Sequence, residues 1–327
     1  LIRSMRVLVA TATLIAFCFA MSSSALAGWS TPVDQSDGVG GTQPQIAYAA
    51  DGSYTVVWTN SRVRMRRFTA AGVGGAVTNL SAAGNSASSP QIAYSPDGSA
   101  TVVWTRSNGS WNVVQAVRIA ADGSVGNVID LSGGGTSATG PTIAVAPNGS
   151  TIVTWYRFDF GFYYYEYARI ASDGAASGPV SFSGTTVNPE SPRAAFASDN
   201  SSTIVTTELN GTKMQVKMRR YDAAGSLLST TDMSTYGNSS FGPQVAYAPN
   251  NTATVVWYEF YGGNYVIRAS RVATDGSAGS AYTISSNSFG QTASSPRIAY
   301  APDGTALVAW LNFAGSTNTA QAVRPTA

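Results

Sequence analysis

A chain of 327 residues without a single histidine, and with one cysteine, excludes imidazole general bases, Ser-His-Asp and Cys-His nucleophilic systems and histidine metal sites together. Only 11% of its residues are charged and the formal net charge is +2, so no strong global field draws nucleic acid or anionic lipid. What remains, rich in Gly, Ser, Thr and Ala, suits an all-β domain that is kept wet by hydroxyl groups and few ions.

The N-terminal segment LIRSMRVLVATATLIAFCFAMSSSALAG places Arg3 and Arg6 before an almost wholly apolar run over residues 7–21. Ala25-Leu26-Ala27 then supplies the small-x-small pattern of a signal-peptidase site. The run is shorter than the roughly 20 residues of a membrane span. Residues 1–27 are expected to be a signal peptide cut before Gly28, with the product secreted to the extracellular space or cell envelope and not inserted in a membrane. Cys18 leaves with that segment, and so do Arg3 and Arg6, after which 17 basic residues face 17 acidic ones.

Residues 28–327 are then a run of one repeated unit. Its opening proline falls at Pro44, Pro90, Pro141, Pro192, Pro243 and Pro296, and a later arginine recurs at Arg67, Arg118, Arg169, Arg220, Arg271 and Arg324. A period near 50 residues indicates a propeller, solenoid or array. In the second unit, PQIAYS runs into the turn Pro96-Asp97-Gly98, and ATVVWTR follows with the unbroken apolar character of a strand covered on both faces. NGSW turns into VVQAVRIA. Ala121-Asp122-Gly123 turns into VGNVIDLS, and a Gly/Ser/Thr connector leads on. Four antiparallel strands per unit describe one propeller blade. The predicted fold is an all-β, six-bladed β-propeller. The last unit stops after three strands at AQAVRPTA, while GWSTPVDQS near the start aligns with the fourth strand, Asp34 falling where Asp130 sits. The N-terminal strand is therefore expected to complete the last blade and close the ring.

The string P-x-I-A-x-S-P-D-G-x-x-x-V-V-W, followed by a D-G turn and a D-L-S strand, resembles the blades of TolB-type, WD-like six-bladed propellers over residues 29–327. The resemblance implies the fold and carries no activity. Blade four departs from it, with Thr207 where the other blades have Trp58, Trp104, Trp155, Trp257 and Trp310.

Those five tryptophans, at one strand position, are expected to pack blade against blade. The six arginines are expected to serve turns whose carbonyls need donors. Asp51, Asp97, Asp122, Asp173, Asp275 and Asp303 fit turns in which Asp bonds its own backbone and Gly accepts positive φ. One carboxylate per turn falls far short of calcium's six to eight oxygen ligands, so no metal or cofactor is expected.

Function is therefore sought where the repeats differ. The Asp-Gly turns should share one face, leaving the second-to-third strand loops and the inter-blade connectors on the other. YRFDFGFYYYEYAR in blade three and YEFYGGNYVIRASR in blade five crowd Tyr156, Phe160, Tyr163, Tyr165 and Glu166, with Tyr258, Glu259, Tyr261 and Tyr265. Trp111 tips the loop of blade two, and Tyr236, Phe241 and Phe289 occupy connectors. Aromatic rings among amides and single charges make adaptable recognition surfaces. The leading expectation is a secreted, non-catalytic module that binds a glycan or protein partner, a monomer being compatible with the pattern. The alternative is a sialidase-like or other carbohydrate-cleaving propeller, for which Asp159, Glu166, Glu190, Glu208 and Glu259 are the candidate carboxylates. SPDGSATVVW does not match the sialidase Asp-box. A third reading is a structural spacer. Convergence of two of these carboxylates with tyrosines at the axial mouth would favour the enzyme.

Overall fold

The computed structural model describes residues 34–36, 38 and 40–324, except 187, 188, 235, 236, 287, 289 and 316. The expected signal peptide lies outside the described residues. So do residues 28–33 of the ring-closing segment, and Tyr236 and Phe289.

Every regular element is a strand, and the strands form six antiparallel sheets in chain order. Sheet two is representative: Ala87–Tyr94, Ala100–Ser107, Asn112–Ile119 and Ile129–Asp130 pair each with the next. Sheets one to five have four strands and sheet six has three among the described residues. The fourth strand is shorter than VGNVIDLS implied, only two residues in four of the sheets. The serine of the D-L-S pattern closes the edge just beyond the strand's end. Ser132 Oγ accepts the Val114 N–H at 2.9 Å, where a backbone carbonyl would otherwise continue the ladder. Ser81, Ser183, Ser234 and Ser285 do the same for Val63, Tyr165, Val216 and Ile267. A short, hydroxyl-terminated edge offers little to a foreign strand.

The inner strands set the axis. Tyr48, Tyr94, Val145, Phe196, Tyr247 and Tyr300, at equivalent places in all six sheets, line one cavity of about 680 Å³ together with four prolines of the Asp-Gly type turns. The first strands of the six sheets thus surround a common channel and end at this mouth. Thr55, Thr203 and Thr254 each share a 2.7 Å hydrogen bond with the mouth tyrosine of the following sheet, namely Tyr94, Tyr247 and Tyr300.

Sheet-on-sheet packing makes the core. Trp104, Trp155 and Trp257 have no exposed surface, and Trp58 and Trp310 are nearly as buried. Four of the five lie in apolar clusters, each of which joins two consecutive sheets. Burying about 150–250 Å² per indole at about 25 cal/mol/Å² contributes roughly 4–6 kcal/mol each before entropy. Four indole N–H groups find an acceptor: Trp104 on Gln115, Trp155 on Glu166, Trp257 on Glu259 and Trp310 on Gln321. Opposite Trp58 stands Arg64, which cannot accept, and the Trp58 Nε1 is unpaired.

Arginine serves the turns across blades. Arg67 donates to the carbonyls of Ala120 and Ala121 in sheet two, Arg118 to Ser172 in sheet three, Arg169 to Ala223 in sheet four and Arg220 to Thr274 in sheet five. Each guanidinium therefore anchors a turn of the following sheet, and Arg118 also holds Asp97 and Ser99 in its own. Asp51, Arg67 and the turn Ala121–Gly123 also line one surface pocket, so both families of turn lie on one face. Backbone bonds from the second-to-third loops to the connectors put those elements together on the other, as in Phe260 N–H to Ser239 O and Tyr163 N–H to Thr186 O. In sheet six one side of the second strand, with Leu307, Leu311 and Phe313, is exposed, as are Ile46 and Tyr48 of the first strand of sheet one.

Candidate functional site

Three residues expected on the varied face are internal. Tyr165 and Glu259 have no exposed surface and Glu166 is 6% exposed. Register explains their burial. Glu166 lies directly across from Trp155 and accepts its indole N–H at 2.9 Å, along with Arg157 Nε at 2.8 Å and Ser181 Oγ at 3.1 Å. In sheet five the residue opposite Trp257 is Arg268, so Glu259 two positions on takes the indole instead, with Asn238 and Ser240 as further donors. Both carboxylates are internal acceptors for tryptophan. Asp159 is tied to Arg157 at 2.7 Å.

The other predicted aromatics divide into exposed tips and two clusters. Trp111, Phe160 and Tyr261 are exposed, Phe160 at 94% the most so. Arg268 stacks over the Tyr261 ring at 5.1 Å. In sheet three Tyr163 meets Tyr156 edge-on at 5.7 Å and Phe158 at 4.9 Å. In sheet five Tyr258, Tyr265, Phe260 and Phe241, which lies in the first strand opposite Tyr258 and not in a connector as expected, form a second group, with ring centroids 5.4 to 6.2 Å apart in every contacting pair.

Tyr156 and Tyr258 occupy equivalent second-strand positions, and a glycine lies under each. A Cβ on Gly140 would approach the Tyr156 ring to 2.6 Å, and one on Gly242 the Tyr258 ring to 2.7 Å. Both glycines sit at the bulge before the repeat proline with φ of +66° and +61°. Gln43, Ser89 and Ser295 hold the same backbone in sheets one, two and six with ordinary side chains. Where the second strand carries tyrosine, glycine makes room for its ring to lean toward the channel end.

Between these two rings lies the segment that enters sheet four. Glu190 accepts a hydrogen bond from Tyr258 Oη at 3.3 Å, from Thr207 Oγ1 at 3.3 Å and from the Gly242 N–H. Tyr165 lies behind it, its hydroxyl on the Thr207 carbonyl at 2.9 Å. Burial, with smaller contributions from the charges of Glu190 and Glu208, holds Tyr165 protonated far above the ordinary tyrosine range. Burial first, then the Glu190 charge and hydrogen bond, does the same to Tyr258. Glu208 is closed in a buried pair with Arg219. Two of the five candidate carboxylates, Glu190 and Glu208, thus lie about one tyrosine, and of these two Glu190 is the one partly open. Three residues on, Arg193 points from the fourth inner strand, and Arg297 holds the equivalent place in the sixth. The sequence reading passed over both arginines. The signal was there: the residue after the repeat proline is Gln45, Gln91, Thr142 and Gln244 in the other sheets.

No protein-family model and no curated protein sequence matches this chain. Solved structures do. The GH93 α-L-arabinofuranosidase of Fusarium graminearum in complex with arabinobiose aligns with a TM-score of 0.52 at 13% identity, covering 86% of this chain and 92% of that one. A PL25 ulvan lyase bound to -[GlcA(1-4)Rha3S]- aligns at 0.51 and 10% identity, covering 84% and 81%. A Dyadobacter fermentans protein of unknown function aligns at 0.51 and 9% identity, covering 69% and 75%. At these identities the likeness establishes an all-β, propeller-like fold; the TolB or WD type is not among these matches. The expectation of a non-catalytic binding module is corrected, because the two functionally described structures among these three are carbohydrate-cleaving enzymes.

Proposed function

We propose that this chain is a carbohydrate-cleaving propeller enzyme whose reaction takes place at the channel end around Glu190. The observation that carries the reading is the coupling of Glu190 to Tyr258 and Gly242 of the next sheet, beside Tyr165 and Thr207. A carboxylate that can take up or release a proton stands in contact with a hydroxyl kept protonated. Glycosidic bonds break either as an acid gives a proton to the bridging oxygen while water attacks the anomeric carbon, or as a base takes a proton from a ring carbon while the bond to the leaving oxygen opens into a double bond. The half-buried rings of Tyr156, Tyr163 and Tyr265 offer faces for sugar C–H groups, while Glu166 and Glu259 hold the strands beneath. The leader-like segment 1–27 supports an extracellular or envelope workplace, where polysaccharide is met, and the repeats support residues 28–327 as one propeller domain.

Arabinan, ulvan, pectin and hexosamine-containing polysaccharides incubated with the protein test the reading through new reducing ends and through the ultraviolet absorbance of unsaturated ends. Glu190→Gln is expected to lower the rate by about 10²–10⁴-fold with circular dichroism unchanged. No product from any polysaccharide, or a Glu190→Gln rate equal to wild type, refutes it.

A further inference from the structure

The arginines on the loop side of the sheets differ in how they are used. Arg106 donates to the Ala83 carbonyl, Arg157 to Asp159 and Glu166, Arg219 to Glu208, and Arg268 to Thr283 and the Ala281 carbonyl. Arg193 donates to nothing among the described residues, and its Nε is buried without a partner. Other buried Nε atoms go unpaired, at Arg106, Arg220 and Arg268, yet each of those guanidinium groups is anchored by a terminal nitrogen. Arg297 makes one bond, to the carbonyl of its own neighbour Pro296.

We propose that Arg193 and Arg297 form an anion site that receives the acidic group, carboxylate or sulfate ester, of a charged sugar next to Glu190. The inference rests on the enzymatic reading above and names its substrate class: an acidic polysaccharide. Arg193 is half-buried, and its guanidinium, which cannot shed its proton, keeps a buried Nε without a partner. Such a group persists where an anion from outside completes it. The local sum agrees, since two cations and the single charge of Glu190 leave one positive charge to balance. The symmetry of the fold agrees as well. The residue after the repeat proline holds one equivalent place on all six inner strands, and cations stand there only in sheets four and six. Burial, and then the like charge of Arg297, disfavour the charged form of Arg193, against the pull of Glu190. Gly242, on the inner strand of sheet five, donates its N–H to Glu190, and its Cβ position lies 3.8 Å from Pro296 Cδ, so the two arginines flank one strand, and a pair of guanidiniums there suits a planar carboxylate or a sulfate.

Calorimetric titration with oligogalacturonate, its methyl ester, sulfated dextran oligomers and neutral dextran tests the site. The neutral balance of the chain beyond residue 27 keeps unspecific attraction to polyanions small. An acidic oligomer is expected to bind at least about tenfold more tightly than its neutral counterpart, and Arg297→Gln to remove about tenfold of that affinity. Arg297 is exposed, so this variant folds even where Arg193→Gln does not. Arg64→Gln, on the third strand of sheet one, is expected to change nothing. A loss confined to oligogalacturonate assigns a carboxylate, and one confined to sulfated dextran assigns a sulfate. Equal binding of acid and ester together with no preference for sulfated over neutral dextran, or Arg297→Gln equal to wild type on both anions, overturns the site. Anion binding that follows the arginines, without cleavage of any polysaccharide, refutes the enzymatic reading and leaves the anion site standing.

Discussion

Removing Arg219 from the Glu208 pair should unfold the protein more readily than any surface charge change. Glu208 is 2% exposed and Arg219 8%. The pair is bidentate, Oε1 on Nη1 and Oε2 on Nη2 at 3.1 Å, with Thr206 Oγ1 at 2.7 Å and the Gly184 N–H at 3.4 Å as the remaining donors to the carboxylate. The guanidinium also lies 5.5 Å over the Phe182 ring. Arg219→Met keeps the stem and deletes the cation, stranding a carboxylate that has only a hydroxyl and a distant N–H. That costs about 3–5 kcal/mol, a large part of the roughly 5–15 kcal/mol that holds a domain folded. Glu208→Leu strands the guanidinium and costs a similar amount. The double variant replaces both charges by apolar groups of similar volume and should return to within about 1–2 kcal/mol of wild type. Urea unfolding followed by tryptophan fluorescence gives the three differences, and the double-mutant cycle gives their coupling. A single substitution costing less than about 1 kcal/mol, or a double variant that loses the sum of the two singles, refutes the account.

Gly242→Ser keeps a backbone that Ser89 and Ser295 already adopt, but its Cβ displaces the Tyr258 ring. Activity should fall about tenfold or more with the loss of one charge-assisted hydrogen bond, and adding Tyr258→Thr should restore stability, as in the Ser89–Thr105 arrangement of sheet two, without restoring activity. Stability against pH should be flat from about pH 5 to 8, since no histidine titrates there. At Asp51 and Asp97 the hydroxyl and then the N–H of the serine two residues on hold the carboxyl below its usual range; at Asp122 and Asp275, again with a serine, and at Asp303, with Thr305, the N–H leads and the hydroxyl follows. With folded values depressed, their contribution is complete above the unfolded value of about 3.9 and is lost as pH falls through the folded ones. Thermal melts that decline between pH 8 and 5 would contradict this.

Local physics made much of this fold readable. A proline, an Asp-Gly turn and a tryptophan recurring every 50 or so residues demand one repeated sheet, because each feature acts within a few residues of itself. The partners of the arginines were less visible. Arg67 meets Ala120 and Ala121 more than 50 residues away, and only the stacking of one sheet on the next brings them together. Glu166 and Glu259 looked like surface acids because the sequence does not show which residue faces a tryptophan. Register decides that, and it turned both inward.

Sheet four shows how a break in the repeat becomes a site. In four other sheets an indole N–H takes a glutamate or glutamine as acceptor, and in sheets three and five the glutamate is held in the interior. With Thr207 in place of tryptophan no indole makes that demand. Glu208 is free to pair with Arg219, and the threonine carbonyl and hydroxyl are left to hold Tyr165 and Glu190. The same change that removes a packing anchor thus supplies two polar atoms beside the channel, at the one sheet whose inner strand brings both a partly open carboxylate and an unanchored guanidinium. A tryptophan restored at residue 207 would rebuild the interior of the repeat at the expense of the contacts that hold Glu190, which is why the proposed site falls on the least regular of the sheets.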